Sequence, residues 1–271
     1  MSTDSTDVTL HFTTPPGLED VAAAEYEGRV AALSRARGCT PVTLPAERFD
    51  FRGEVFVTVP EAAGVPCSEL LEEARAMRSA ATAMQLLART QLPSQDTLDA
   101  LATALETVDV PGLADAAPFR VTGYRRGSHE FSRVDIQRVA GEVLARRYGA
   151  PVSLREYREE VVVTLYARRC CVLANLSRKP LDKRFHEPYH PRVASKATIA
   201  YAMLRLSGIA EDTRPPHILD PFCGSGTMAL EAAALRDDAR ISAMDLDERS
   251  ARGTRENASH ASLEHRIEIT Q

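Results

Sequence analysis

The spacing of apolar and polar positions along the first part of the chain predicts strands and helices in alternation. Apolar residues that alternate with polar ones indicate strands, whereas apolar residues three and four positions apart indicate helices. On this basis we predict strands at 7–13 and 54–59 and helices at 18–37, 68–89 and 96–108. The helix at 68–89 is predicted from helical spacing of Leu70, Leu71, Ala74, Met77, Ala81, Met84 and Leu87. This region is therefore expected to form small α+β units.

The middle of the chain predicts a strand, a basic loop, a capped helix and a hairpin. Residues 119–123 alternate as a strand does, and 124–131 form a loop with several basic residues. Ser132 and Asp135 have the spacing of a capping box, which predicts a helix that ends near Gly149. The remaining prediction is a hairpin of two strands at 160–166 and 170–176.

From residue 177 onward the order of predicted elements changes. The irregular and basic segment 177–192 is interpreted as a linker between domains. After it we predict helices at 195–206, 227–235 and 248–261 and strands at 217–220, 240–244 and 266–270. Strands that alternate with helices in this way favour a parallel sheet. The predicted fold class is thus an α+β region followed by an α/β region.

The net charge of −5 conceals an uneven distribution along the chain. Residues 1–118 contain 8 basic and 18 acidic side chains, and residues 193–271 contain 9 and 12. Residues 119–192 contain 16 basic and 8 acidic side chains. One basic segment in an acidic chain predicts local contact with a polyanion. The alternative is that these charges are scattered over several faces of the protein.

The cysteines and the apolar runs exclude several classes of protein. Cys39, Cys67, Cys170, Cys171 and Cys223 show no CxxC spacing, which predicts reduced thiols and no metal site. Every apolar run falls short of the ~20 residues that a membrane-spanning helix needs. The N-terminus is polar, unlike a signal peptide. We therefore expect a cytoplasmic protein without membrane contact.

The stretch ILDPFCGSGT at 218–227 has the most informative chemistry in the sequence. A strand delivers Asp220, and Gly224 and Gly226 let a ligand approach the backbone of the turn that follows. A new helix then presents free N–H groups. This arrangement favours a nucleoside-bearing cofactor at the carboxyl end of a parallel sheet. Asp245, at the end of the next strand, is suited to accept hydrogen bonds from both hydroxyls of a ribose.

This stretch does not match two other glycine-rich loops. Ala229 stands where GxGxxG has its third glycine, and no lysine follows the second glycine, so neither a dinucleotide loop nor a Walker loop is predicted. A GxG alone is often an ordinary turn, and an aspartate that ends a strand is often a helix N-cap. Asp247 is able to take the capping role and leave Asp245 free.

DPFCGSGT followed by AMDLD resembles the first two motifs of class I S-adenosylmethionine methyltransferases. More narrowly, it resembles the branch with an N-terminal THUMP RNA-binding domain, whose members methylate the exocyclic amine of guanosine. Other stretches similar to that branch are TTPPGLE at 13–19, FRVTGYRRGSHEFS at 119–132, LDKR at 181–184 and the segment 191–200. The resemblance covers essentially the whole chain, although only the GSGT region is specific by itself.

The resemblance implies a domain organisation. It predicts a ferredoxin-like α+β unit at 1–60, a THUMP domain at 61–176, the linker at 177–192 and part of a Rossmann-like methyltransferase domain at 193–271. S-adenosylmethionine is the implied cofactor, and RNA is the implied partner. Among RNAs, tRNA is favoured over ribosomal RNA as the partner, by analogy alone.

The resemblance also implies two sets of residues. Asp220, Gly224 and Gly226 fall on the methionine end of the cofactor, Asp245 on the ribose, and Lys196 and Thr198 on a bordering helix. The complete cofactor set is Asp220, Pro221, Cys223, Gly224, Ser225, Gly226, Thr227, Asp245, Lys196 and Thr198. The RNA set is Arg120, Arg125, Arg126, His129, Arg133, Lys183 and Arg184, with Arg146 and Arg147 as an extension. For each basic residue, and for Lys196 and Thr198, the alternative is a solvated surface position.

The sequence departs from the family at its C-terminal end. Family members continue to a fourth strand that ends in an Asn/Asp-Pro-Pro-aromatic motif, which holds the target amine. Pro215-Pro216 precedes the first strand of the parallel sheet and is flanked by Arg214 and His217, so it does not replace that motif. We therefore expect a truncated chain in which 218–220 forms a sheet edge. No catalytic residue is assigned.

The main hypothesis is an RNA methyltransferase that acts on the exocyclic amine of guanosine. An alternative from another class is a non-catalytic THUMP RNA-binding protein with a vestigial half methyltransferase domain. A third is a methyltransferase of small molecules or proteins. The sequence leaves the nucleotide and the oligomeric state open.

Overall fold

The structure, a computed structural model, describes residues 7–48, 53–93 and 98–271. Its strands are β1 (Val8–Thr13), β2 (Ala46–Arg48), β3 (Glu54–Val59), β4 (Thr82–Gln91), β5 (Phe119–Arg126), β6 (Glu159–Tyr166), β7 (Arg169–Asn175), β8 (His217–Asp220), β9 (Arg240–Met244) and β10 (Ile267–Thr270). Its α-helices are α1 (Glu19–Ala36), α2 (Cys67–Arg75), α3 (Leu98–Leu105), α4 (Arg133–Tyr148), α5 (Ala197–Leu206), α6 (Thr227–Leu235) and α7 (Glu248–His260).

The strands form a mixed sheet followed along the chain by a parallel one. The seven-stranded sheet has the order β2-β3-β1-β4-β7-β6-β5, with β6 antiparallel to β7 and parallel to β5. The three-stranded sheet has the order β10-β9-β8, and both of its pairings are parallel. The predicted fold class, an α+β region followed by the first strands of a Rossmann-like sheet, is therefore confirmed.

Contacts among the described residues divide the chain into two compact units. The first contains residues 58–62, 83–178 and the N-terminus up to His11, and the second contains 12–57, 63–82 and 179–271. In the first unit, α3 and α4 bury Leu101, Ile136 and Leu144 in one apolar core. In the second unit, α6 packs Leu230 and several alanines against Ile218 and Ile241 of the parallel sheet.

The capping box predicted for α4 is confirmed. Ser132 Oγ accepts a hydrogen bond from the Asp135 N–H at 3.3 Å, and Asp135 Oδ2 accepts one from the Ser132 N–H at 2.8 Å. The helix is followed by Gly149 in the left-handed conformation. These local hydrogen bonds satisfy backbone groups that the first turn would otherwise leave unpaired.

The helix predicted over 68–89 is wrong beyond Arg75. After α2 the chain becomes irregular, because the Glu25 carboxylate binds the backbone N–H groups of Arg78 and Ser79 at 2.9 and 2.8 Å. It then continues as β4, which pairs antiparallel with β7 from Met84 to Gln91. The apolar residues that have helical spacing thus belong to two elements, and pairing with a distant strand overrides the local pattern.

Two smaller differences concern element ends. The strand predicted to end at Gly123 continues to Arg126, so Arg125 and Arg126 lie on β5 rather than in a loop. The helix predicted to start at Asp96 is described only from Leu98, because residues 94–97 lie outside the described residues.

Candidate cofactor site

The loop between β8 and α6 turns through two glycines in the left-handed conformation. Gly224 has φ +56° and Gly226 has φ +81°, and the Gly226 N–H donates to the Cys223 carbonyl at 2.6 Å. A Cβ on Gly224 would meet no described atom within 4 Å, so its backbone faces open space. A Cβ on Gly226 would lie 2.6 Å from Thr254 Cγ2, so this glycine allows α7 to pack against the loop.

The carboxylate of Asp245 joins this loop to the end of β9. Its Oδ2 accepts a hydrogen bond from the Gly224 N–H, and its Oδ1 accepts one from the Asp247 N–H, both at 2.9 Å. Asp247 caps α7 through a 3.0 Å hydrogen bond from the Arg249 N–H, as predicted. Asp245 was expected to be free, but both of its oxygens already accept a hydrogen bond from the protein. Each oxygen retains a second lone pair that can accept a hydrogen bond from a hydroxyl group.

A cavity of about 220 Å³ lies beside the loop. Five predicted cofactor residues line it, and the complete lining is Val193, Ala194, Ser195, Met203, Asp220, Phe222, Cys223, Gly224, Ser225, Thr227 and Met228. Pro221, Gly226 and Asp245 are in or next to the loop but do not belong to this lining. The structure thus brings the GSGT residues and Asp220 together around one opening.

Two ionisable groups at this cavity have shifted pKa values. Burial raises the pKa of Asp220, the negative charge of Asp245 raises it further, and the Phe222 N–H at 3.3 Å from Oδ1 opposes these effects. Burial likewise raises the pKa of the Cys223 thiol, whose Sγ lies 3.4 Å from Thr254 Oγ1. The loop therefore holds its acidic side chain in a position where ionisation is costly.

Two buried residues of α7 that the sequence analysis missed hold the carbonyls of the loop. Thr254 Oγ1 donates to the Gly224 carbonyl at 3.0 Å, and Asn257 Nδ2 donates to the Ser225 carbonyl at 2.9 Å. The Asn257 amide also binds both the N–H and the carbonyl of Tyr189, at 2.9 and 2.8 Å. The available signal was a pair of uncharged polar residues three positions apart on a helix whose exposed positions are largely charged.

Lys196 and Thr198 do not reach the cavity at Gly224. Lys196 is exposed and lines a second cavity of about 410 Å³, together with Glu187 and His190 among others. Thr198 is fully buried, and the described residues provide no hydrogen-bond partner for its Oγ1. The cofactor roles of these two residues remain predictions, and the shorter side chains of 193–195 border the cavity instead.

In the first unit, several predicted RNA residues are exposed near the end of β5. Arg125 and Arg126 are exposed, and Arg133 is exposed at the first position of α4. His129 is half-buried, and its ring stacks on that of Phe131 at 5.1 Å.

Two further arginines, which no motif in the sequence indicates, lie near that strand end. Because β5 and β6 are parallel, Arg126 pairs with Tyr166, and the Ala167 N–H donates to the Arg126 carbonyl at 2.8 Å. This places the exposed Arg168, in the turn between β6 and β7, and the exposed Arg169, at the start of β7, next to the end of β5.

The remaining predicted RNA residues are Arg120, Lys183 and Arg184, with Arg146 and Arg147 as the extension. Arg120 is paired with Glu160 at 2.8 Å and stacks over the ring of Tyr157 at 4.3 Å. Arg184 is paired with Glu231 at 2.7 Å, so both arginines have a protein partner, and their role in RNA binding remains a prediction. Lys183, in the second unit, lines the 410 Å³ cavity.

In α4, Arg146 pairs with Glu106 and Arg147 binds the carbonyls of Leu105 and Val108.

None of the described helices has the length and apolar character needed to cross a membrane. Likewise, no group of three or more His, Cys, Asp or Glu side chains among the described residues is arranged to hold a metal ion.

Comparison with known proteins identifies two domains and several relatives. Residues 95–175 match the THUMP domain model, and residues 188–271 match the RMKL-like methyltransferase domain model. The tRNA (guanine(6)-N2)-methyltransferase of Thermus thermophilus is 35% identical over 255 residues, which cover 92% of this chain and 68% of that protein. The enzyme of the same name from Archaeoglobus fulgidus is 28% identical, over 84% of this chain and 54% of that protein. The crystal structure of TrmN from Thermus thermophilus superposes with a TM-score of 0.75 at 34% identity, covering 97% of this chain and 73% of that one.

The parallel sheet, its glycine loop and the carboxylate at the next strand end define a class I methyltransferase domain that follows a THUMP domain. The chain belongs to the family of THUMP-containing RNA guanine-N2 methyltransferases. This confirms the family resemblance on which the sequence analysis relied. The boundaries predicted for the individual domains remain predictions.

The raised pKa of Asp220 generates a stability prediction. The fold disfavours the ionised form of Asp220, so ionisation of this side chain lowers the free energy of unfolding. This loss of stability is absent below the ordinary pKa of aspartate and develops as the pH rises through the raised pKa. Asp220→Asn is therefore expected to raise the melting temperature of the ligand-free chain at neutral pH. The gain should shrink as the pH falls, which thermal unfolding at a series of pH values would measure.

Asp247→Asn, at an exposed helix cap, is the matched control. Since asparagine also caps helices well, it should leave the melting temperature nearly unchanged. A pH-independent difference for Asp220→Asn, or a loss of stability at neutral pH, would contradict this account of the half-buried carboxylate.

Proposed function

We propose that the chain acts in the S-adenosylmethionine-dependent methylation of the exocyclic amine of a guanosine in RNA, with tRNA as the favoured substrate. The observation that carries the proposal is the contact between Asp245 and the Gly224 N–H, which places an acid beside an open glycine loop. Relatives named tRNA (guanine(6)-N2)-methyltransferase support the choice of substrate.

The residues around the loop fit such a cofactor. Gly224 leaves its backbone uncovered, and Asp245 has lone pairs available for two ribose hydroxyls. Asp220 lies at the cavity and contributes a carboxylate toward the positively charged end of the ligand. When bound, S-adenosylmethionine supplies an electrophilic methyl group. The part of this chain is to bind and orient it.

The exposed arginines near the end of β5 support an RNA-binding role for the first unit. Arg125 and Arg126 on β5, with Arg168 on the adjoining turn and Arg169 at the start of β7, form a set of cations that we propose to contact phosphates. Such contacts position an RNA without reading its sequence, which suits recognition by shape. A cytoplasmic location also remains a prediction.

Asp245→Asn tests the cofactor site. Replacing a charged acceptor by an amide of the same shape removes about 1.5–3 kcal/mol of hydrogen bonding, so affinity for S-adenosylmethionine should fall roughly 10- to 100-fold. Isothermal titration calorimetry measures this directly. Asp247→Asn changes a nearby exposed carboxylate and should bind as the wild-type chain does.

Equal affinity for Asp245→Asn and the wild-type chain would remove Asp245 from the site. A wild-type chain that binds RNA but not S-adenosylmethionine would favour the non-catalytic RNA-binding alternative over the proposed enzyme.

Arg125→Ala tests the RNA surface. If Arg125 contacts a phosphate, its loss should reduce the slope of log K against log salt concentration by about 1. Filter binding or fluorescence anisotropy with a tRNA transcript at several salt concentrations provides the slopes. Arg138→Ala is the control, because Arg138 is exposed on α4 and paired with Glu142 at 3.2 Å. The same slope for both variants would argue against the proposed surface.

A further inference from the structure

Glu231 of α6 is a fully buried carboxylate held by two arginines from outside the parallel sheet. Its side chain is 0% exposed, whereas those of Arg78 and Arg184 are 16% and 19% exposed. Arg78 Nε donates to Glu231 Oε2 at 3.1 Å, and Arg184 Nε donates to Oε1 at 2.7 Å. Each carboxylate oxygen thus has its own guanidinium, which offsets the cost of burying the charge.

The two arginines also bind backbone carbonyls, so their own positions are fixed. Arg78 Nη1 donates to the Ala234 carbonyl at 3.0 Å, three residues further along α6. Arg184 donates through Nη1 to the Leu181 carbonyl and through Nη2 to the Arg78 carbonyl, both at 2.9 Å. The three charged side chains therefore form a closed network in which Arg78 holds α6 at two points.

The segment that contains Arg78 is anchored to the N-terminal helix. Glu25 of α1 is 3% exposed and accepts hydrogen bonds from the Arg78 and Ser79 N–H groups. Thr14 Oγ1 donates to the Ser79 carbonyl at 2.7 Å. The Arg78 guanidinium lies 5.5 Å from the ring centre of Tyr201 on α5. One arginine thus connects α1, α5 and α6.

The helix held in this way begins at the glycine loop. Gly226 is the N-cap of α6, and Glu231 lies four residues after its first residue, Thr227. At 1.5 Å per residue this is about 6 Å along the helix axis, or one turn. Because a short helix moves as a rigid body, contacts at Glu231 limit the movement of the loop at its start.

We propose that Arg78, Glu231 and Arg184 are positioning residues for the cofactor loop, through which α1 and the segment between α2 and β4 hold α6 in its binding orientation. None of these three side chains belongs to the lining of the cavity at Gly224, so their effect on binding is indirect. The inference rests on the proposed function, since it assigns a purpose to the orientation of that loop.

The test compares Arg78→Ala and Glu231→Gln with Arg37→Ala. Arg37 is the control because it joins the end of α1 to α2 through an ion pair with Glu69, about 18 Å along the helix axis from Glu25. In the ligand-free chain, hydrogen exchange of the amides at 230–233, which begin with the first intrahelical hydrogen bond of α6, should be about three- to thirtyfold faster in the first two variants than in the wild type. Affinity for S-adenosylmethionine, measured by calorimetry, should fall by a similar factor. Arg37→Ala should leave both the exchange rates and the affinity unchanged.

Arg78→Lys keeps the charge and loses the forked geometry, so its exchange rates should fall between those of the wild type and Arg78→Ala. This variant also serves if Arg78→Ala does not fold. Exchange at 230–233 that is unchanged, or equally fast in Arg37→Ala, would overturn the inference. A wild-type chain that does not bind S-adenosylmethionine would refute the proposed function, while the exchange comparison would still decide whether the network positions the loop.

Discussion

The hydrogen bond from the Gly224 N–H to the Asp245 carboxylate is the contact on which the candidate site depends. It joins the loop after β8 to the end of β9, and the parallel pairing of these strands brings their carboxyl ends to the same edge. The bond requires Gly224 in a left-handed conformation, which a residue with a Cβ adopts only at a cost. A loop displaced from β9 would lose the acid and the open backbone together.

Several elements of the second unit hold the loop in this position. On one side, α7 packs Thr254 against Gly226 and binds the loop carbonyls through Thr254 and Asn257. At Gly253 a Cβ would come within 2.1 Å of the Tyr189 ring, so α7 also fits closely against the segment before α5. The helix that follows the loop is held through Glu231. The loop is thus defined as much by its supports as by its own glycines.

The sequence predicted those features whose determinants are local. The capping box of α4, the strand–loop–helix unit at GSGT and the capping role of Asp247 depend on residues a few positions apart, and all three are confirmed. Features that depend on distant partners were missed. The carboxylate of Glu25 ends the regular structure after α2, and Glu231 takes Arg184 as an ion-pair partner. Neither pairing leaves a periodic trace in the sequence, because the partners are 53 and 47 positions apart.

The most direct test of the candidate site is an NMR titration of the isotopically labelled chain with S-adenosylhomocysteine. This ligand contains the nucleoside and amino-acid portions that the loop is proposed to bind. The account predicts that the largest amide shifts occur at Gly224, Ser225, Gly226 and Asp247, whose N–H groups lie in the loop or bind Asp245. Shifts confined to other parts of the chain, or none at saturating ligand, would contradict it.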